Sequence, residues 1–97
     1  MKRVEVCYSP AEFALYEQDF DVVVVIDVLR ATSAICAALA HGVARIQPVA
    51  SVEEARKLQL QGLIAAAERN GEIVEGFDLG NSPLAYIERA AELAGQT

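Results

Sequence analysis

Five ionisable side chains set the chemistry open to this sequence: Asp27, Arg30, Glu68, Arg69 and Asp78. A carboxylate can hold a metal, move a proton or attack an electrophile, whereas arginine presents a planar fork that clamps phosphate or carboxylate through paired hydrogen bonds. Gathered in one pocket, such a set would suit a small, multiply charged anion. Each stretch also carries groups that could share in binding: Thr32 and Ser33 after Arg30, Asn70 after Arg69, and Asn81 with Ser82 after Asp78.

The surrounding pattern predicts how these residues are positioned. Lys2 to Cys7 alternates polar and apolar residues as an edge strand does, and Ser9-Pro10 leads into a short helical segment around Glu12 to Tyr16. Val22 to Ile26 is an unbroken β-branched run between Asp21 and Asp27, the pattern of a central strand covered on both faces of a parallel sheet. Thr32 or Ser33 can cap the Ala-rich helix that follows, which should end at His41-Gly42, where the histidine meets the last carbonyls. Val43 to Val49 reads as a third strand. Ser51 and Glu54 form a capping box before a helix over Val52 to Gln61, stopped by Gly62. Leu63 to Ala67 reads as a fourth strand, Asn70-Gly71 as a turn, and Ser82-Pro83 as the start of a helix reaching Ala94.

The expected architecture is therefore α/β: a three-layer α/β/α arrangement with a mainly parallel sheet. Residues 1–97 form one domain of it, and the strand to which the last crossover should return lies beyond Thr97, so the fold is read as the N-terminal part of a larger one. In such sheets ligands bind outside the carboxyl ends of the strands, where all five ionisable residues fall. The three loops also have plain structural readings. Asp27 can end a strand while Arg30 stays solvated, Glu68-Arg69-Asn70-Gly71 can be a polar turn, and Gly76 to Ser82 can be a tight loop with an Asx-type cap.

Composition narrows the class. The chain has 97 residues, 54% of them hydrophobic, and a net charge of −6, with mean hydropathy +0.27 and pI near 4.6. A chain this acidic repels nucleic acid and anionic membranes, so an anionic ligand must be held by local positive groups. High apolar content in a small domain predicts self-association, a homodimer being the simplest form. Cys7 and Cys36 make no CxxC, and no run of about 18 uncharged apolar residues occurs, so the sequence predicts a cytoplasmic protein with neither a disulfide framework nor a membrane span. GxxxxGK[ST], GxGxxG, GxSxG and HExxH are all missing, as are the cysteine-phosphatase and aspartyl-phosphatase signatures.

Taken together, four blocks carry a resemblance: Ile26-Asp27-Val28-Leu29-Arg30-Ala31-Thr32-Ser33, Pro48-Val49-Ala50-Ser51, Glu68-Arg69-Asn70-Gly71, and Glu75-Gly76-Phe77-Asp78-Leu79-Gly80-Asn81-Ser82-Pro83. In this order they closely resemble the 2-phosphosulfolactate phosphatase family. Ala67 departs mildly, standing where the family usually has glycine. The resemblance implies a magnesium-dependent acid phosphatase that converts 2-phospho-3-sulfolactate and water to 3-sulfolactate and phosphate, in coenzyme M biosynthesis. It further implies chains more than twice as long, so that these residues alone would show little or no turnover. Asp27, Glu68 and Asp78 become the candidate magnesium ligands, and Arg30 and Arg69 the grips for phosphate and for sulfonate or carboxylate. A carboxylate beside the metal could attack phosphorus or activate water. The rival reading is a non-catalytic module that binds an anionic metabolite or assembles with a partner.

Overall fold

The structure, a computed structural model, describes residues 2–16 and 19–97. Its elements in chain order are a 3₁₀ turn Pro10–Leu15, an irregular turn Val28–Thr32, helix α1 (Ser33–Ala40), helix α2 (Val52–Leu60), strands β1 (Glu68–Arg69) and β2 (Glu72–Ile73), and helices α3 (Pro83–Glu88) and α4 (Ala90–Leu93).

The helix boundaries follow local chemistry. Ser51 Oγ accepts the Glu54 N–H at 3.2 Å while Glu54 Oε2 accepts the Ser51 N–H at 3.3 Å, so the capping box at the head of α2 is complete. At the foot of α1, His41 Nδ1 lies 2.8 Å from the Ala37 carbonyl, and Val43 N–H reaches back to Ala38 C=O at 3.1 Å, closing the last turn in a Schellman motif. Leu63 N–H does the same to Leu58 C=O at the foot of α2.

Helix α1 begins differently from its sequence expectation. Neither Thr32 nor Ser33 caps it with its side chain, because both already have right-handed helical backbone and their hydroxyls cannot turn back to the first-turn amides. Asp27 takes that role one turn earlier, its carboxylate accepting the Ala31 N–H at 3.0 Å. Ser33 Oγ instead donates to the Val28 carbonyl at 2.5 Å. The last helix also differs. It breaks at Arg89, which leaves helical geometry at φ −101°, ψ 18° and divides the segment into α3 and α4.

The main correction concerns the sheet. The chain is mixed α/β, but among the described residues the strands are the short antiparallel pair β1 and β2, with Glu68 opposite Ile73 and Arg69 opposite Glu72. The two-residue link is Asn70-Gly71 with φ 55° and 78°, the left-handed pair that matches hairpin twist. A three-layer parallel sheet is not formed by the described residues, and Val22 to Ile26 is between 57% and 83% exposed. A strand exists only through a hydrogen-bonded neighbour, and here the candidate neighbours are engaged elsewhere. Ala66 forms a single parallel bridge with Leu79, Asp78 and Leu79 N–H groups both donate to Ala65 C=O, Ile64 N–H donates to Thr97 C=O, and Ala44 N–H donates to Gln96 C=O.

Those pairings bring together the segments that form the core. Ala34 and Ala38, four residues apart and therefore on one face of α1, are 2% and 1% exposed, and α1 packs against α3. Ala65, Phe77, Leu79 and Leu93 complete the buried set. Arg56 lies over the Phe77 ring, 5.1 Å from its centroid, so α2 is tied to the loop before Asp78. The core thus sits directly beneath the segments that carry the charged residues. Replacing Ser51 with alanine should destabilise the protein by about 1 kcal/mol, because the Glu54 amide loses its acceptor; a urea midpoint unchanged by the substitution would show that this cap contributes nothing.

Candidate functional site

Glu68 is the centre of the charged cluster. It opens β1, where the hairpin register aims it at the segment following Leu79. Its Oε1 accepts Arg30 Nη2–H at 2.5 Å and the Asn81 backbone N–H at 2.7 Å. Both contacts are charge-assisted, so they are stronger than bonds between neutral groups. The Glu68 side chain is 11% exposed against 43% for Arg30, which leaves the arginine able to reach outward while the acid is enclosed. One carboxylate oxygen therefore joins three of the four motif blocks recognised in the sequence.

Glycine at position 80 makes this approach possible. A Cβ there would stand 2.7 Å from Glu68 Oε1 and 2.9 Å from both Glu68 Cγ and Ile73 Cγ1, closer than carbon atoms pack. On the other side of the loop, the Tyr86 hydroxyl donates to the Gly80 carbonyl at 2.8 Å. Burial, with a smaller contribution from the Glu68 charge, raises the Tyr86 pKa above the ordinary 10.0.

Arg69 Nη1–H donates to the Glu68 carbonyl at 2.7 Å, and Arg69 lines the same groove as Glu68 and Asn81. This groove has a volume of about 380 Å³, within the range of small-molecule sites. All four motif blocks contribute to its wall, through Ala31, Pro48, Ser51, Glu68, Arg69 and Asn81 among others.

The remaining sequence-predicted residues lie around this centre in varied roles. Asp27 holds the Ala31 amide, and Thr32 is exposed on the same turn. Ser33 is bonded to Val28. Asn70 occupies the hairpin turn, and Ser82 precedes Pro83 at the head of α3 without a side-chain cap. Asp78 points into the scaffold: its Oδ2 accepts Ala65 N–H at 3.0 Å and Gln59 Nε2–H at 3.4 Å. Among the described residues no hydrogen bond or ion pair joins the Asp27 or Asp78 carboxylate to Glu68, and no three acidic, histidine or cysteine groups gather as a metal-binding set.

Three positioning residues escaped the sequence reading. Gln59 donates to the Gly76 carbonyl at 2.8 Å, Arg89 Nη1–H donates to the Asp78 carbonyl at 2.9 Å, and Tyr86 secures Gly80. The signal for Tyr86 was present. Side chains on a helix lean towards its N-terminus, so a tyrosine one turn after Pro83 points back at the loop that precedes it.

An enclosed acid bonded to an exposed arginine, beside a second arginine on the groove wall, makes the charged centre of this mixed α/β chain. The particular family follows from comparison with known proteins. The family model described as 2-phosphosulpholactate phosphatase matches residues 7–97, and the chain belongs to that family. It is 50% identical over 74 residues to a protein of Thermotoga petrophila named "Probable 2-phosphosulfolactate phosphatase", covering 76% of this chain and 32% of that one. Identity to the protein of the same name from Carboxydothermus hydrogenoformans is 45% over 86 residues, covering 87% and 35%. The one from Clostridium acetobutylicum shows 52% over 68 residues, covering 67% and 29%. The chain thus spans about a third of the length of the curated relatives it matches.

Two measurements check this geometry. Glu68→Ala leaves the Asn81 amide without its acceptor and should cost about 1–3 kcal/mol, whereas Arg30→Ala removes a partly exposed partner and should cost less than about 1 kcal/mol; urea unfolding that reversed this order would contradict the assignment of Glu68 as the hub. Because Tyr86 holds its proton more tightly when folded than when unfolded, its contribution to stability is present below pH 10.0 and is lost as pH rises through the higher folded value. Tyr86→Phe should flatten the alkaline fall in melting temperature, and an identical fall in both proteins would exclude this source.

Proposed function

We propose that the protein to which this chain contributes is a phosphomonoester hydrolase acting on 2-phospho-3-sulfolactate, in coenzyme M biosynthesis. Water is consumed, the bond between phosphorus and the lactate oxygen breaks, and 3-sulfolactate and phosphate leave. The observation that carries the reading is the shared groove: all four motif blocks line it, and the Arg30–Glu68–Asn81 junction binds three of them together. Family membership supplies the reaction class.

Each residue has a role consistent with its place. Arg30, held by one nitrogen to Glu68 and otherwise outward-facing, would take the phosphate, while Arg69 at the groove wall would take the sulfonate or carboxylate. The Asn81 and Ser82 segment would stop the substrate from sliding past the junction. Enclosure by the groove lowers the local dielectric beside Arg69 and strengthens its contact, while Arg30 acts from outside the groove wall.

Magnesium belongs to this reading through the family resemblance, with Glu68 as its first candidate ligand, since the ion is commonly held by one or two carboxylates together with substrate phosphate and water. Among the described residues the acids do not gather into a metal-binding set. Asp27 and Asp78, whose carboxylates hold backbone amides here, are its further candidate ligands. Bound there, the ion would neutralise phosphate charge and acidify a water molecule.

The test is phosphate release from 2-phospho-3-sulfolactate by the full-length protein. Activity should disappear with a chelating agent and return with added magnesium. Equal turnover before and after chelation would remove the metal from the reading, and no turnover under any metal condition would favour an anion-binding module instead.

A further inference from the structure

We infer that Gly80 and Tyr86 are positioning residues that fix the Glu68 carboxylate, Gly80 by leaving the space the carboxylate occupies and Tyr86 by holding the Gly80 carbonyl. This rests on the reading of Glu68 as a group that serves the phosphate site.

The space is specific to a missing side chain. Any Cβ at position 80 meets Glu68 Oε1 at 2.7 Å, Glu68 Cγ at 2.9 Å and Ile73 Cγ1 at 2.9 Å. Gly80 is itself buried, so the added carbon cannot escape into solvent. Of the atoms it meets, those of Glu68 belong to the longer and more flexible side chain. The carboxylate would therefore swing away and leave both the Asn81 N–H at 2.7 Å and the Arg30 guanidinium at 2.5 Å.

Tyr86 acts on the same peptide from the opposite side. Its hydroxyl, 2.8 Å from the Gly80 carbonyl, pins the peptide unit whose nitrogen belongs to Asn81, since the Gly80 C=O and the Asn81 N–H share one rigid plane. The direction in which the Asn81 N–H points, and hence where Glu68 Oε1 settles, is set by a hydrogen bond made one turn into α3. Among the described residues no hydrogen bond or ion pair joins Gly80 or Tyr86 to Arg30 or Arg69, so their route to an anion runs through Glu68 and Asn81.

The experiment uses the full-length protein, with steady-state kinetics and amide NMR. Gly80→Ala should lower kcat at least tenfold, with KM changing less than threefold, and should move the Asn81 amide proton upfield as its carboxylate partner departs. Tyr86→Phe should give a smaller loss with a shift of the same sign. Glu68→Gln is the reference, and the double variant Gly80→Ala/Glu68→Gln should fall no further than Glu68→Gln alone.

A folded Gly80→Ala protein with kcat within twofold of wild type, or losses that multiply in the double variant, would overturn the inference while Glu68 kept its role. If Glu68→Gln were itself fully active, the reading of Glu68 would fail first and the positioning role with it. Should Gly80→Ala not fold, Tyr86→Phe decides by the same two readouts: an unchanged Asn81 amide and unchanged kcat refute the inference, and a concerted change supports it.

Discussion

The arrangement turns on one carboxylate oxygen. Glu68 Oε1 accepts one hydrogen bond from Arg30 and another from the Asn81 backbone, and through these two contacts the turn before α1, the β1–β2 hairpin and the loop before α3 acquire a common reference point. A largely enclosed carboxylate needs such donors to replace the water it has lost. The demand runs in both directions: the partners need an anion of fixed position, and the anion needs donors that do not drift.

The same logic explains the second acid of the loop. Asp78 also holds the scaffold: its carboxylate accepts from Ala65 and Gln59 and its carbonyl accepts from Arg89. Contact with α2, the segment before β1 and the start of α4 all pass through this one residue. It fixes the base of the loop, while Asn81 at the tip meets Glu68.

What could be read from the sequence was what depends on neighbours in the chain. The Ser51–Glu54 box, the His41-Gly42 close, the Asn70-Gly71 hairpin and Pro83 at the head of α3 are each decided within four residues, and each stands where the pattern put it. Strands are different, since a run such as Val22–Ile26 becomes one only when a distant segment pairs with it. The start of α1 was misplaced because the helical turn forms before Thr32, which hands the cap to Asp27. The role of Gly80 was hidden for a third reason. Nothing near it in sequence reveals that Glu68 and Ile73 occupy the space a side chain at position 80 would need.

The exposed β-branched run has a bearing on synthesis. Val22 to Ile26 leaves five β-branched side chains open to solvent. At the usual pace of roughly 5–20 residues per second, a nascent chain would carry this adhesive strip for several seconds. Holdase chaperones recognise such stretches, so expression level and growth temperature bear on this protein's yield as much as the strength of its finished core does.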